Sequence, residues 1–464
     1  MPIYLLHLAS THADFHIPEL ETLAKIECVH YRWIKPSCVR QSLDLQEPSV
    51  AHSQSEKPVY PINHTNATTL NPFLLVELED DLSAARWIRR SIFCKGIYEL
   101  YGFSETFDSL HDYLSKLPSP PWLAYQKKTS YKFTFETFGT RRTMEEQLSI
   151  INDFGYMGLE GLVSMKHPEC IFTLLENRSK DIEGPKMYFG RWCGGSSRDA
   201  IDKFDLKRRN YIGITSFDAE LSLITAQMAM AMPGKLVYDP FAGTGSFLYT
   251  CSYFGAFTMG SDIDGRQMRG KGRKSIRSNF TQYQLANSFV DVFTGDVTNC
   301  PLRQNFLVDA IVCDPPYGVR AGAKKIAKSS SGSSSPSQST SDSTSTSHYP
   351  KLEQYQISDM VFDLICFAAM HLVDYGRLVL WLPTITEEYS IEDIPRHPCL
   401  SLIFNSVQPF THWSRRLLTF ERLPRSETNH VPSEVFEKSL KTPSHHDFRK
   451  KYFMGARRTA SPFI

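Results

Sequence analysis

At 464 residues the chain exceeds one ordinary core, so two to four domains are expected. Hydrophobic content of 41% and charged content of 22% describe a soluble globular protein. A net charge of +1 means that global charge does not announce nucleic acid, so any polyanion-binding surface must be local.

The ten cysteines are scattered, with no Cys-x-x-Cys pair, which argues against a zinc site and for reduced thiols in the cytoplasm. No apolar run approaches the roughly 20 residues needed to span a bilayer, so no membrane association is expected. The opening Met1 to Leu8 is apolar but lacks a basic leader and reads as a first strand.

In chain order, residues 1–50 form a small α+β unit: that strand, an amphipathic segment over 18–28, and a strand-like run over 28–34. Residues 51–72 are polar, as a loop would be. A strand signal over 73–78 precedes a helical stretch that Ser83 caps and that runs to Arg90. Residues 97–101 are extended, 131–136 alternate at period two, 145–154 carry helical spacing, and 170–175 give one more strand. The region 51–178 is thus a mixed α/β candidate for RNA binding. Residues 179–216, rich in Gly and basic residues, read as a connector.

From Asp218 the pattern is regular. A helix over 218–231 leads to a strand at 235–238, a Gly-rich turn and a helix at 246–254. A strand at 256–259, an acidic turn, a basic helix and the apolar run Ala310 to Cys313 follow. A long helix over 357–373 and strands at 377–382, 400–407 and 416–420 close the region. Alternating strands and helices predict a parallel sheet covered on both faces. Residues 329–347 hold 12 Ser and 3 Thr among 19 positions, a composition that cannot bury enough surface to order itself. This insert is either a lid near the substrate or an expansion tolerated in a surface loop. The tail, 424–464, is polar and expected to be flexible.

Asp314-Pro315-Pro316-Tyr317 follows the apolar run directly, and Gly318 ends it in a turn. One reading is structural, since Asp, Pro and Gly favour turns. The other is chemical. An aromatic amine is a poor nucleophile because its lone pair is delocalised. The Asp314 carboxylate and the Pro315 carbonyl, on a stiff backbone, can accept its two hydrogens and localise that pair. Tyr317 can stack on a base, worth roughly 1–3 kcal/mol.

Asp239-Pro240-Phe241-Ala242-Gly243-Thr244-Gly245 follows a strand and precedes a helix, and its glycines let backbone approach a ligand. Asp262 lies 19 residues after Gly243, at the end of the next strand, where an acid can hold ribose hydroxyls. Position 248 is Leu where a pyrophosphate turn wants Gly or Ala, so the site favours adenosine without pyrophosphate, as in S-adenosylmethionine. Asp296 is either an adenine contact at a third strand end or a turn residue. Asp264 either assists Asp262 or caps the following helix, and Asp218 either meets the methionine end of the cofactor or caps its own helix.

Six Lys/Arg and no acid lie between Gly265 and Phe280, among them Arg269, Lys271 and Arg273. Lys203, Lys207, Arg208 and Arg209 form a second cluster, and Arg320, Lys324, Lys325 and Lys328 a third. Charge runs are commonly solvated faces. Three near one site also fit phosphate contacts.

Taken together, the motifs resemble the catalytic subunits of eukaryotic-type tRNA (guanine-10-N2) methyltransferases. The resemblance rests on Tyr188 to Trp192, Ser216 to Leu221, Asp239 to Gly245, Gly260 to Asp264, Asp314 to Gly318, Gly376 to Val379, Trp381 to Pro383, His397 to Leu400 and Ser414 to Leu417. It covers most of 1–423 and implies a fold of three parts. These are an α+β ferredoxin-like part (1–50), a THUMP tRNA-binding domain (51–178) and, after the connector, a Rossmann-like class I methyltransferase domain (217–423). It implies S-adenosylmethionine as cofactor, tRNA as substrate and a small zinc-binding activator subunit as partner. Competing readings are methylation of DNA adenine, of another RNA guanine or of a protein glutamine, and a non-catalytic tRNA-binding module. Glutamine enzymes of similar build carry Asn rather than Asp at the position of Asp314. The THUMP-like half counts against DNA. An intact Asp314 beside an intact cofactor motif counts against a non-catalytic module.

Overall fold

A computed structural model describes residues 1–35, 71–179, 186–319, 322–327, 352–428 and 442–459. The Ser-rich insert, Arg320 and Lys328 lie outside the described residues. The chain divides into two compact units, Met1–Asp199 and Ala200–Ile464.

The first unit is built on a seven-stranded sheet of β1 (Ile3–Leu8), β2 (Arg32–Ile34), β3 (Phe73–Glu77), β4 (Cys94–Ser104), β5 (Tyr131–Phe138), β6 (Cys170–Asn177) and β7 (Met187–Gly195). Their order across the sheet is β2-β3-β1-β4-β7-β6-β5. All neighbours are antiparallel except β5 and β6. Helices α1 (His16–Glu27) and α2 (Asp81–Ile88) bury Leu20, Leu23, Ala84 and Trp87 with Tyr4, Leu6 and Val76 of the sheet. A second core gathers Leu110 and Leu114 of α3 (Phe107–Ser115) with Phe172 and Phe189. Helix α4 (Met144–Asn152) starts on a Thr143–Glu146 capping box.

Two expectations change here. The cap of α2 is Asp80, which accepts from the Ser83 N–H at 2.7 Å, so Ser83 lies inside the helix. And 187–195, read as connector, is a strand between β4 and β6. Its glycines, which suggested a loop, serve close packing: a Cβ on Gly190 would sit 2.2 Å from the Glu99 carbonyl oxygen.

After the short helix α5 (Asp199–Phe204), the second unit holds α6 (Ala219–Met228), β8 (Leu236–Asp239), α7 (Ser246–Tyr253), β9 (Phe257–Asp262), α8 (Gly265–Arg269), α9 (Ile276–Gln282), β10 (Phe289–Thr294) and β11 (Val308–Cys313). There follow the small pair β12 (Lys324–Ile326) and β13 (Leu352–Gln354), α10 (Ile357–His371), β14 (Leu372–Ile385), β15 (Leu400–Pro409), β16 (Trp413–Arg422), α11 (Arg425–Thr428) and α12 (Phe448–Thr459).

The large sheet runs β10-β9-β8-β11-β14-β16-β15. Its first five strands are parallel, as predicted. The last two are antiparallel, because β15 and β16 are joined by a three-residue hairpin, which cannot connect parallel strands. Both faces of β14 are covered. Leu378, Leu380 and Leu382 join the core of α10, while the alternate Trp381 donates its indole N–H to Thr225 of α6 at 3.0 Å.

Candidate active site

The chain lays β8, β9 and β10 outward in one direction, then returns with β11 on the other side of β8. Crevices outside the carboxyl ends of parallel strands at such a switch point are where open α/β sheets bind ligands. Ile311 of β11 lies opposite Tyr238 of β8, so Asp239 ends β8 close to where Asp314 follows the end of β11. Asp262 ends β9, the other neighbour of β8. Three carboxylates thus converge where the sequence placed a cofactor and a reacting amine.

Their surroundings differ. Asp239 is buried, and burial, with the charges of Asp262 and Asp314 nearby, holds its carboxyl well above the usual range. Its Oδ1 accepts from the Phe241 N–H at 2.9 Å. Asp262 is raised too, chiefly by burial. Its two oxygens accept from Gly243 N–H at 2.9 Å and Asp264 N–H at 2.8 Å.

Between β8 and α7 the backbone turns through Gly243 (φ 51°) and Gly245 (φ 84°), both in the left-handed region that glycine adopts without strain. A strap of residues 211–217 lies over this turn. Ser216 Oγ is 2.8 Å from Thr244 Oγ1, and a Cβ on Gly213 would meet Thr244 Cγ2 at 2.8 Å. Leu248, at the position where a pyrophosphate site needs glycine, is fully buried against Gly260.

At the end of β11, Pro315 is buried and Asp314, Pro316 and Tyr317 are half-buried. Gly318 has φ 87° and turns the chain away. The Tyr317 ring meets Phe448 of α12 edge-on, at 5.7 Å and 84°, and lies 6.5 Å from Trp413. The tail was expected to be flexible. Residues 442–454 instead pack beside this turn, because Phe448 and Tyr452, one helical turn apart, present an aromatic face to Trp413. That i, i+4 spacing was the signal available in the sequence.

Other predicted cofactor residues are engaged locally. Asp218 is exposed and caps α6, accepting from the Leu221 N–H at 3.0 Å. Asp264 caps α8 and pairs with Arg266 at 3.0 Å, and the Arg266 contact holds its carboxyl below the usual range. Asp296 is buried. It accepts from Thr298 through Oδ1 and from the Ile326 N–H at 2.7 Å through Oδ2, tying β12 to the end of β10. Phe241 is partly buried against the core of the second unit.

Of the predicted RNA-binding residues, Lys207, Arg208, Arg269, Lys271 and Arg273 are exposed. Arg209 is not, and its assignment to RNA is corrected. It is 5% exposed, donates to Ser246 Oγ at 2.8 Å and Tyr283 Oη at 3.2 Å, and stacks over Tyr249. A guanidinium with aromatic and hydroxyl partners inside the fold is a packing element. Of the third basic cluster, Lys325 pairs with Glu353 and lies over Tyr355.

Comparison with known proteins agrees with this layout. A family described as "Tmrp11 THUMP N-terminal domain" matches residues 61–198. One described as "RMKL-like, methyltransferase domain" matches 207–329. The chain is 64% identical to a tRNA (guanine(10)-N(2))-methyltransferase of Schizosaccharomyces pombe, over 99% of this chain and 98% of that protein. Identity is 37% to the protein of that name from Saccharomyces cerevisiae, over 98% and 99%. It is 32% to the one from Homo sapiens, over 97% and 95%.

Proposed function

The chain belongs to the tRNA (guanine(10)-N(2))-methyltransferase family, and on that premise we propose how its own residues perform the transfer. It is a methyltransferase that moves a methyl group to the exocyclic N2 amine of the guanine at position 10 of tRNA. The observation that carries the residue assignment is the pairing of β8 with β11, which brings the glycine turn and Asp314 to one crevice.

S-adenosylmethionine is the methyl donor in this reading, and it supplies an electrophilic methyl on a sulfonium. The residues present fit it. Gly243 leaves backbone open to a ligand, with nothing nearer than 3.7 Å to an added Cβ, Gly245 turns the chain into α7 against Tyr249, and Asp262 stands at the strand end suited to ribose hydroxyls. Leu248 occupies the space that a dinucleotide would need. Asp239 shapes the turn by fixing Phe241, which would hold the adenosine of the bound donor. Asp264 and Asp218 act through the backbone they cap, and Asp296 by holding β12 at the crevice rim.

Asp314 accepts one N–H of the guanine amine and the Pro315 carbonyl accepts the other, which localises the nitrogen lone pair. Pro316 keeps that backbone stiff, and Tyr317 stacks on the base. With the donor bound, its sulfonium would supply the methyl that N2 takes up as the carbon–sulfur bond is given up, and Asp314 would receive the amine proton. Positioning supplies much of the rate, so no strong base is needed.

Lys207, Arg208, Arg269, Lys271 and Arg273 contact RNA phosphates, which position without reading sequence. The THUMP-like unit grips the tRNA, and a small zinc-binding activator subunit is the partner that the family resemblance implies. Localisation in the cytoplasm is supported by nine described cysteines that are free thiols. No helix among the described residues is long and apolar enough to cross a membrane.

The test is a methylation assay on unmodified tRNA with nucleoside mapping, with and without the activator subunit. N2-methylguanosine at position 10 is expected. Its absence in both arms overturns the reading.

A further inference from the structure

We propose that α12 is an additional RNA-docking element, built beside the reacting turn and gripping backbone phosphates next to the target nucleotide. The inference rests on the tRNA methyltransferase reading above and adds a contact surface to it.

One face of the helix is bound to the catalytic unit. Phe448, 1% exposed, sits between Tyr317 at 5.7 Å and Trp413 at 5.6 Å, and Tyr452 reaches Trp413 at 5.7 Å. Lys451 is held by Glu388 at 2.6 Å and by the Ser444 carbonyl at 3.2 Å. His446, just ahead of the helix, meets Ser358 Oγ at 3.1 Å.

The other face is cationic. Arg449 and Lys450 are exposed, and among the described residues neither has an acidic partner. The Arg449 stem runs over Gly318: a Cβ there would lie 3.3 Å from both Arg449 Cβ and Cδ. The glycine that ends the reacting turn therefore makes room for a cation directly beside Tyr317.

A base whose amine reaches Asp314 must leave its stack. Its phosphates remain within one nucleotide of it, so exposed cations flanking Tyr317 face the backbone on which the base hangs. Phosphate contacts of this kind add affinity that salt weakens.

The test uses the full chain and its Arg449→Glu/Lys450→Glu double variant. Binding of an unmodified tRNA transcript is measured by fluorescence anisotropy across a salt series, with thermal melting to verify the fold. The variant should bind roughly tenfold or more weakly, with the slope of log affinity against log salt reduced by about 2. Unchanged affinity and slope, in a wild type that makes N2-methylguanosine, overturns the inference and leaves the methyltransferase reading intact. So does tighter binding or faster turnover by the variant, which would make α12 an obstruction to RNA. A wild type that makes no N2-methylguanosine with or without the activator subunit removes both.

Discussion

The main-chain N–H of Gly243 donates to Asp262 Oδ2 at 2.9 Å, while Asp262 Oδ1 accepts from the Asp264 N–H at 2.8 Å. One carboxylate thus closes the glycine turn after β8 onto the end of β9. Both partners are donors, and an amide side chain cannot accept with both of its polar ends. Asp262→Asn should leave one N–H facing an NH2, at about 1–3 kcal/mol. We expect S-adenosylmethionine affinity to fall roughly 10- to 100-fold by calorimetry, with the unit still folded. Affinity equal to wild type would remove Asp262 from the cofactor site.

Asp314 stands at the end of β11, across β8 from Asp262. In the proposed reaction it meets the amine and not the cofactor. Asp314→Ala should lower single-turnover methyl transfer by about 10²–10⁴-fold while cofactor and tRNA binding persist. Equal loss of binding and turnover would make Asp314 a structural turn residue.

The parts of this site legible in the sequence are those whose chemistry is local. A glycine turn between strand and helix, an acid at the next strand end and Asp-Pro-Pro-Tyr after an apolar run each sit within a few consecutive residues. What escaped depends on partners distant in the chain. Arg209 looked like a phosphate contact because its hydroxyl partners, Ser246 and Tyr283, are 37 and 74 residues away. Strand β7 looked like a loop because its Gly190 answers to the backbone of β4 and its Gly194 to Ala85 of α2. Helix α12 was hidden by a polar composition, although its aromatic spacing pointed to a docked face.

Arg209 gives a prediction that separates packing from RNA contact. Arg209→Ala removes two hydrogen bonds to a charged donor and a stacked guanidinium from the interior. Loss of about 1.5–3 kcal/mol of stability is expected in urea unfolding. The salt slope of tRNA binding should stay as in wild type. A slope reduced by about 1 with stability unchanged would restore Arg209 to the RNA interface.

Asp239 makes the second unit sensitive to pH. Burial raises its carboxyl in the folded state, so the folded chain holds a proton that the unfolded chain has released. The stabilisation is full at acid pH, below the unfolded carboxyl pKa, and is lost as pH rises through the folded value. Asp239→Asn keeps an oxygen to accept from Phe241 and carries no charge. It should therefore melt higher than wild type at neutral pH, and the advantage should shrink towards pH 4. A difference independent of pH would contradict this.

Glu19 makes the same argument for the first unit, with a window that can be located. It lies fully buried in α1 and accepts from Ser91 Oγ at 2.6 Å and from the Ile92 and Phe93 N–H groups at 2.6 and 3.1 Å. Burial outweighs these bonds and pushes its carboxyl up from 4.5 to about 7. A folded value above the unfolded one means stability is complete below pH 4.5 and declines as pH rises to about 7. The shift corresponds to about 3 kcal/mol across that window. Urea unfolding of wild type and Glu19→Gln between pH 4 and pH 8 should show the pair diverging in slope only there, with wild type losing stability faster. Parallel curves would mean that Glu19 titrates in the folded chain as it does in the unfolded one, the Ser91 hydroxyl and the N–H groups of Ile92 and Phe93 offsetting its burial.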